Sequence, residues 1–309
     1  PVNLILDTDI GPDYDDVGAM ALMHALADNG EAKILATVAC NTDARVVPCI
    51  EVINGWYGRK DIPVGAPKGY SAPRLTTSML RTDWPGYLAS HFAHATGSTA
   101  CAPSAVETYR RVLSRQPDGS VTICTLGFFS NLKALLASAP DRWSKLSGKD
   151  LVAKKVKLLV SMAGAFPNGY EFNVYWDADA ARTVADEWPT PIIFSGWEIG
   201  SEIFTGNAVR DLPGDISPNP IQSAYTLALS EDDRPHGRDS WDQTAALVAI
   251  RGAAPWLPLR HGHVTVDGKG NNKWTDDPQG QHAYLVFAQP IKQVRDAIEA
   301  LMTQMPRKR

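Results

Sequence analysis

The sequence predicts an α/β fold, with a mainly parallel, Rossmann-like open sheet and helices on both of its faces. Short apolar runs rich in β-branched residues alternate with amphipathic stretches along most of the 309 residues. The runs are apolar throughout, as expected of strands that are covered on both faces. Repetition of a strand followed by a helix is typical of a parallel sheet. Ligands of such sheets bind beyond the carboxyl ends of the strands, where the polar clusters of this sequence are expected to lie.

Six apolar runs are predicted to be strands, and the amphipathic stretches between them are predicted to be helices. In the stretch 16–27, for example, Val17, Met20 and Ala21 recur at helical spacing on one face. The predicted strands cover residues 2–6, 33–39, 121–126, 156–162, 191–195 and 283–287. The predicted helices cover residues 16–27, 44–56, 102–114, 131–139 and 178–187.

Two segments, 65–97 and 211–239, show little periodicity. They are predicted to be long loops, either flaps over a binding site or disordered surface loops. Residues 268–272 are predicted to form a hairpin turn, and His261 and His263 to lie on a surface strand rather than to bind zinc. No internal repeat and no linker divides the sequence, so residues 1–309 are predicted to form a single domain.

The composition disfavours several classes of function. The chain has 30 basic and 34 acidic residues, and its net charge of −4 gives no reason to expect nucleic acid as a partner. No apolar run reaches the roughly 18–20 residues that span a bilayer. The four cysteines have neither metal nor redox spacing and form no disulfide framework. We expect a soluble protein and favour the cytoplasm; because the chain opens at Pro1, an export signal removed by processing stays open as the alternative.

An acidic cluster lies between the first predicted strand and the first predicted helix. Its members are Asp7, Asp9, Asp13, Asp15 and Asp16, all within ten residues. Carboxylates so close together repel one another unless a cation or shared protons compensate their charge, and calcium suits them because it accepts 6–8 hard oxygen ligands. Helix capping would account for one or two of the acids but not for five. The loop lacks the closing Glu of an EF-hand, so the remaining ligands must come from distant segments.

The same cluster carries a family resemblance. Residues 7–9 (DTD), Gly11 and residues 15–16 (DD), ahead of a helix of small residues, resemble the N-terminal motif of the inosine-uridine-preferring nucleoside hydrolase family. Later segments resemble that family in the right order, namely 37–41 (TVACN), 126–132 (LGFFSNL), 162–164 (MAG) with 171–173 (EFN), and 240–242 (SWD). One such motif would be weak evidence for membership of the family, whereas five in the right order indicate a family member with the nucleoside hydrolase fold.

The resemblance implies calcium-dependent hydrolysis of the N-glycosidic bond of a ribonucleoside, a small-molecule substrate. Asp9 would be the general base that takes a proton from the attacking water, and direct attack would invert the anomeric carbon through an oxocarbenium-like state. A rim of carboxylates and amide oxygens would stabilise that state. The oligomeric state stays open, with a homo-dimer or a homo-tetramer as the possibilities. The implied calcium ligands are Asp9, Asp16, Asp242 and the backbone carbonyl of Ser130, and the implied substrate-binding residues are Asp15, Asn41, Asn168, Glu171, Asn173 and Trp241.

The sequence departs from the family pattern at the leaving group. Several members place, before the last metal-binding Asp, a His that protonates the departing base, whereas this sequence has Trp241 there. Stacking on Trp241 would raise the basicity of the base, or a donor such as His236, Arg238 or Asp239 would approach it. The rival hypothesis is a related protein that binds or hydrolyses another sugar-containing ligand. A magnesium phosphohydrolase is disfavoured, because no basic residue near the acids in sequence would hold a phosphate.

The loops around the cluster differ from the family as well. The loop between Asp9 and Asp15 is longer than in well-known members, which shifts Asp13 and Tyr14. Residues 196–200 (GWEIG) follow a predicted strand, so their side chains either face the site or pack against the core.

Overall fold

The computed structural model describes residues 1–11, 13–69, 82–214, 218–232, 235–254, 256–287 and 290–307. Each of the six predicted strands is present among them, with ends that lie within two residues of the predicted ones. The described strands are β1 (Val2–Thr8), β2 (Ala32–Ala39), β3 (Val64–Gly65), β4 (Val121–Thr125), β5 (Val156–Met162), β6 (Asn168–Tyr170), β7 (Ile192–Ser195), β8 (Phe204–Thr205), β9 (Arg238–Asp239), β10 (Leu259–Val266), β11 (Asn271–Asp276) and β12 (His282–Leu285).

Most of these strands form one mainly parallel sheet. Parallel pairing runs through the order β3-β2-β1-β4-β5-β7-β12. Antiparallel strands then extend the sheet in the order β12-β10-β11-β6, while β8 and β9 pair only with each other. The predicted α/β class is therefore confirmed, and the antiparallel extension is an addition that the apolar runs did not indicate.

Helices cover both faces of the sheet, as predicted. The described helices are α1 (Asp15–Asp28), α2 (Val46–Trp56), α3 (Trp84–His91), α4 (Ala105–Ser114), α5 (Ser130–Leu136), α6 (Gly148–Lys155), α7 (Phe172–Tyr175), α8 (Ala178–Glu187), α9 (Trp197–Gly200), α10 (Asn207–Arg210), α11 (Pro220–Asp232), α12 (Trp241–Arg251) and α13 (Ile291–Met302). One core lies between the sheet and α1, α2, α11, α12 and α13, and the other between the sheet and α4, α5, α6 and α8. In β1, Leu4 and Leu6 face the first core while Ile5 faces the second, which explains the uninterrupted apolar runs.

The prediction of long loops over 65–97 and 211–239 is wrong in part, because each segment contains a helix. Helix α3 is short and carries Pro and Gly in its first turn, and the Asp83 side chain caps it by accepting the Gly86 N–H at 3.0 Å. Helix α11 buries Tyr225 at the centre of an apolar face that polar neighbours obscure in the sequence. Other parts of the two predicted loops, residues 70–81, 215–217 and 233–234, lie outside the described residues.

The hairpin turn predicted near 268–272 is confirmed. Strands β10 and β11 pair antiparallel on either side of it, and the Gly270 N–H donates to the Asp267 carbonyl at 3.0 Å. His261 and His263 are exposed on β10, as expected of a surface strand. No described helix is long and apolar enough to cross a membrane.

The contact between α1 and α12 depends on Gly18. A Cβ at this position would overlap the Tyr225 hydroxyl and the Gln243 amide, which hydrogen-bond to each other at 3.0 Å. We expect Gly18→Ala to lower the free energy of unfolding by about 1–3 kcal/mol, the usual cost of overpacking a core. The measurement is urea unfolding followed by circular dichroism.

Gly55→Ala is the matched control for this substitution. Gly55 is exposed on α2, and nothing lies within 4 Å of a Cβ built there, so this change should stabilise the helix by about 0.5–1 kcal/mol. Equal effects of the two substitutions would contradict the proposed role of Gly18 in helix packing.

Candidate active site

The acidic cluster is assembled where two helices begin beside the carboxyl ends of parallel strands. Asp15 and Asp16 open α1, directly after the loop that follows β1, and Asp242 lies in the first turn of α12. Because α1 and α12 pack along each other, their amino termini meet. Carboxylate oxygens of these three residues all lie within 4.8 Å of one another, and all three side chains are buried. The helix dipoles favour negative charge at this point.

The electrostatics of the cluster fit a cation. Burial raises the pKa of Asp15, Asp16 and Asp242 well above the ordinary value, and the negative charges of neighbouring aspartates raise each of them further. Burial, followed by the charge of Asp13, raises the pKa of Asp9 to about 8. Carboxylates in this arrangement hold protons unless a positive ion compensates them. A buried set of hard oxygen donors can therefore hold a divalent metal ion of the calcium or magnesium type.

Hydrogen bonds fix the orientation of the Asp15 and Asp16 carboxylates. The Thr8 hydroxyl donates to Asp16 Oδ1, and the Asp242 N–H donates to Asp15 Oδ2 at 3.2 Å. Asp9 lies against Gly127, where any side chain would overlap its carboxylate, so the glycine after β4 gives Asp9 its space. These contacts bring Asp9, from the loop after β1, to the end of β4.

Asp7 belongs to a layer behind the cluster, a role that the sequence interpretation missed. Its buried carboxylate accepts hydrogen bonds from the Tyr109 hydroxyl at 2.8 Å and from Asn131 Nδ2 at 3.0 Å. Asn131 also donates to the Ala39 carbonyl at 2.8 Å, so β1, β2, α4 and α5 meet at this carboxylate. Burial raises the pKa of Asp7 to about 7 in spite of these bonds. Its position on β1 with an inward side chain was the signal that could have separated it from the loop acids.

Asn41 lies beside the acids and holds the loop that carries them. Its Nδ2 donates to the carbonyls of Asp9 at 3.2 Å and of Gly11 at 2.5 Å, and its Oδ1 accepts the Asp43 N–H at 3.0 Å. Both the nitrogen and the oxygen of the Asn41 amide are therefore hydrogen-bonded to backbone groups. Its proximity to a sugar ring, implied by the family resemblance, stays a prediction.

Glu171 and Asn173 lie over the ends of β4 and β5. Glu171 accepts the N–H groups of Gly164 and Asn173, both at 2.9 Å, and burial raises its pKa to about 7. Asn173 Nδ2 donates to the carbonyls of Leu126 at 2.8 Å and Met162 at 2.9 Å, which leaves its amide oxygen for another partner. The two side chains are thus held rigidly, and the charge of Glu171 acts on Asp9.

Ser130 and Asn168 occupy different surroundings. Ser130 begins α5 and is buried, and its hydroxyl has no hydrogen-bond partner among the described residues. Asn168 is exposed on β6, and its Oδ1 accepts a hydrogen bond from the backbone N–H of Trp274 in β11 at 3.2 Å. Among the described contacts, none joins Asn168 to the acids.

Trp241 lies at the rim of the cluster, next to Asp242. Its indole N–H donates to the Trp197 carbonyl at 2.8 Å, and the guanidinium of Arg238 lies 5.1 Å from its ring centre. Three residues near Trp241 in sequence are possible proton donors, and two of them are His236, which is exposed, and Asp239, which is buried. Asp239 Oδ2 lies 3.7 Å from Nη1 of the third, Arg238. Among the described residues, Arg238 is therefore the one of these three that contacts both Trp241 and Asp13, an acid of the cluster.

The mainly parallel sheet and the buried acids at its carboxyl edge define an α/β protein whose acidic cluster lies where sheets of this kind bind ligands. The sequence matches the profile of the inosine-uridine preferring nucleoside hydrolase family over residues 4–289, nearly the whole chain. The chain therefore belongs to this family, and the resemblance inferred from its motifs is confirmed.

Other proteins share part of its sequence or its fold. An uncharacterized protein of Schizosaccharomyces pombe is 30% identical over 242 residues, which cover 72% of this chain and 71% of that protein. A plant nucleoside hydrolase of known structure is 22% identical, with a TM-score of 0.70 over 98% of this chain and 99% of its own. The type III effector XopQ, solved with adenosine diphosphate ribose, is 15% identical, with a TM-score of 0.71 over 98% of this chain and 94% of its own. At these identities the two structures show a shared fold.

The loop-holding contacts of Asn41 predict a specific defect. We expect Asn41→Ala to lower the affinity for calcium roughly 10–100-fold, as loss of a residue that supports metal ligands usually does. Calcium titration by isothermal calorimetry would measure it. Asn29→Ala, an exposed position at the other end of α1, should leave the affinity unchanged. An Asn41→Ala protein with normal calcium affinity and a raised KM would instead assign Asn41 to the sugar.

Proposed function

We propose that the protein is a calcium-dependent nucleoside hydrolase that cleaves the N-glycosidic bond of ribonucleosides. The observation that carries this proposal is the set of three buried carboxylates within 4.8 Å of one another at the carboxyl edge of the sheet. Membership of the nucleoside hydrolase family supports the reaction class.

Asp9, Asp16, Asp242 and the carbonyl of Ser130 would hold the calcium ion. When bound, this ion offers open coordination positions to the vicinal hydroxyls of a ribose and makes a coordinated water easier to deprotonate. Calcium is preferred to magnesium because the ligands would come from four separate parts of the chain, the loop after β1, α1, α5 and α12, and calcium accepts the less regular ligand geometry. Asp15, whose carboxylate the Asp242 N–H fixes, is then available to the sugar hydroxyls.

The reaction then follows from the side chains around the sugar. Asp9 takes a proton from the attacking water, which adds to the anomeric carbon on the face opposite the base and inverts its configuration. Positive charge develops on the sugar ring, and the carboxylate of Glu171 and the free amide oxygen of Asn173 stabilise it more than they stabilise the neutral substrate. Asn41, which also holds the acidic loop, and Asn168 would lie beside the sugar, and Trp241 beside the base, as the family resemblance implies.

A substrate panel tests this function. The protein is incubated with purine and pyrimidine ribonucleosides, with calcium or with a chelator, and the reducing sugar released is measured. Ribose release that requires calcium supports the proposal. Adenosine diphosphate ribose belongs in the panel, because a structural neighbour was solved with this ligand. Calcium-dependent binding of that compound, without turnover of any nucleoside, would favour the rival role as a sugar-ligand binding protein.

A further inference from the structure

Arg238 joins the acidic loop to the tryptophan that precedes Asp242. Its Nε donates to Asp13 Oδ1 at 3.0 Å, and its Nη2 donates to the second oxygen of the same carboxylate. The guanidinium carbon lies 5.1 Å from the ring centre of Trp241 and 5.4 Å from that of Tyr14. Only 12% of the side chain is exposed. Two aromatic rings, the Asp13 carboxylate and, at 3.7 Å, the Asp239 carboxylate therefore hold this cation in a fixed place at the rim of the site.

The charge of Arg238 is permanent. Burial lowers its pKa, but the negative charges of Asp13 and Asp15 outweigh that effect and hold the pKa above its ordinary value. A guanidinium in this state gives up no proton, so Arg238 does not replace a histidine as an acid. Its contribution to a reaction is a fixed positive charge, strengthened by the partial exclusion of water.

Arg238 would lie on the side of the leaving group, because it lies beside Trp241, which the proposed function puts on the side of the base. Tyr14 and Trp241 both lie against its guanidinium, and the indole N–H of Trp241 donates to the Trp197 carbonyl. A base that stacks on Trp241 would share that ring with the guanidinium.

We propose that Arg238, held between Tyr14 and Trp241 and paired with Asp13, stabilises a nucleobase that departs as an anion. This inference rests on the proposed function and identifies how the leaving group departs. The bond between the anomeric carbon and the base nitrogen breaks, and its electron pair goes to the base. The water oxygen bonds to the anomeric carbon, the water proton goes to Asp9, and the free base takes its proton from solvent.

The same charge selects a class of substrate. Inosine and uridine release bases that carry negative charge at the moment of departure, and a fixed cation favours that state over the neutral ground state. Nicotinamide riboside carries its positive charge on the base and releases it as a neutral molecule. Arg238 repels that substrate in the ground state and has no anion to stabilise afterwards, so the protein should prefer neutral nucleosides.

The test is the dependence of the reaction on the leaving group. The unaltered protein, Arg238→Gln and Arg238→Lys are assayed with calcium on inosine, 4-nitrophenyl β-ribofuranoside and nicotinamide riboside. Nitrophenolate is a stable anion that departs without help. We expect Arg238→Gln to lower kcat/KM for inosine roughly 100-fold, as loss of one charge-stabilising group does in other sites. Turnover of the nitrophenyl riboside should change little, that of nicotinamide riboside should rise, and Arg238→Lys should recover much of the inosine activity.

Arg251→Gln is the matched control. Arg251 also forms a two-pronged pair with a carboxylate, that of Glu31 at 2.7 Å, but at the amino-terminal end of the strands. Equal losses on all three substrates in Arg238→Gln would mean that Arg238 only holds the Asp13 loop, and would overturn this inference alone. An unaltered protein that turns over none of the substrates would overturn the proposed function, and this inference with it.

Discussion

Replacing Asp9 by asparagine is expected to lower kcat for ribonucleoside hydrolysis roughly 1000-fold or more, even at saturating calcium. Asparagine keeps the shape of the side chain in the space beside Gly127 but takes no proton from water. Loss of a general base usually costs about 100-fold to 10 000-fold. The measurement is release of reducing sugar from inosine or uridine, with circular dichroism to establish that the variant is folded.

Asp61→Asn provides the control for this effect. Asp61 is an exposed carboxylate at the amino-terminal end of the sheet, just before β3, and the same substitution there should leave the rate unchanged. An Asp9→Asn protein that keeps more than about a tenth of the activity would assign the proton transfer to another group, because a general base typically contributes at least about 100-fold.

Removal of calcium is expected to have the second large effect, on stability. A ligand that binds only the folded state at 100 times its dissociation constant stabilises that state by about 2.7 kcal/mol. In a chain of this size we therefore expect chelation to lower Tm by roughly 5 °C or more. The physical reason is that burial, and after it the charges of the neighbouring aspartates, raises the pKa of Asp15, Asp16 and Asp242 in the absence of a cation. Differential scanning fluorimetry, with chelator and after calcium is restored, measures the shift.

The Asp242→Asn variant tests whether this calcium response comes from the acidic cluster. Loss of one carboxylate relieves part of the repulsion and removes one ligand, so the variant should unfold at the same temperature with and without calcium. The exposed Asp61→Asn variant should keep the full calcium response. A response to magnesium equal to that to calcium would contradict the assignment of the ion, and no response to either would contradict the metal site.

Much of the fold was predictable because its strands are buried on both faces. β1 alternates between two cores at Leu4, Ile5 and Leu6, so every position is apolar and the run is visible in the sequence. The two exceptions have physical causes. The antiparallel strand β10 has one exposed face and lacks such a run, and α3 begins with Pro and Gly residues that are also typical of loops.

The site was predictable to a lesser depth. Sequence spacing identified the acids because they lie within ten residues of one another, and the family motifs added Asp242, which the structure places beside Asp15 and Asp16. The spacing did not separate the acids by role. Asp7 lies behind the cluster, bonded to Tyr109, while Asp13 pairs with Arg238 at the rim. Which neighbour a carboxylate meets depends on contacts between residues far apart in the chain.

The sequence by itself determined the class of fold, the family and the presence of a dense group of acids after the first strand. These features depend on local sequence patterns, namely apolar periodicity and short motifs, so they can be recognised from the sequence alone. Only the tertiary structure decided which acids converge, what Asn41 and Asn173 contact, and that Arg238 lies between Tyr14 and Trp241. The convergence of the acids depends on the packing of α1 against α12, where Gly18 allows two helix starts to meet. Burial at that meeting point, which no local pattern encodes, gives the charges their strength.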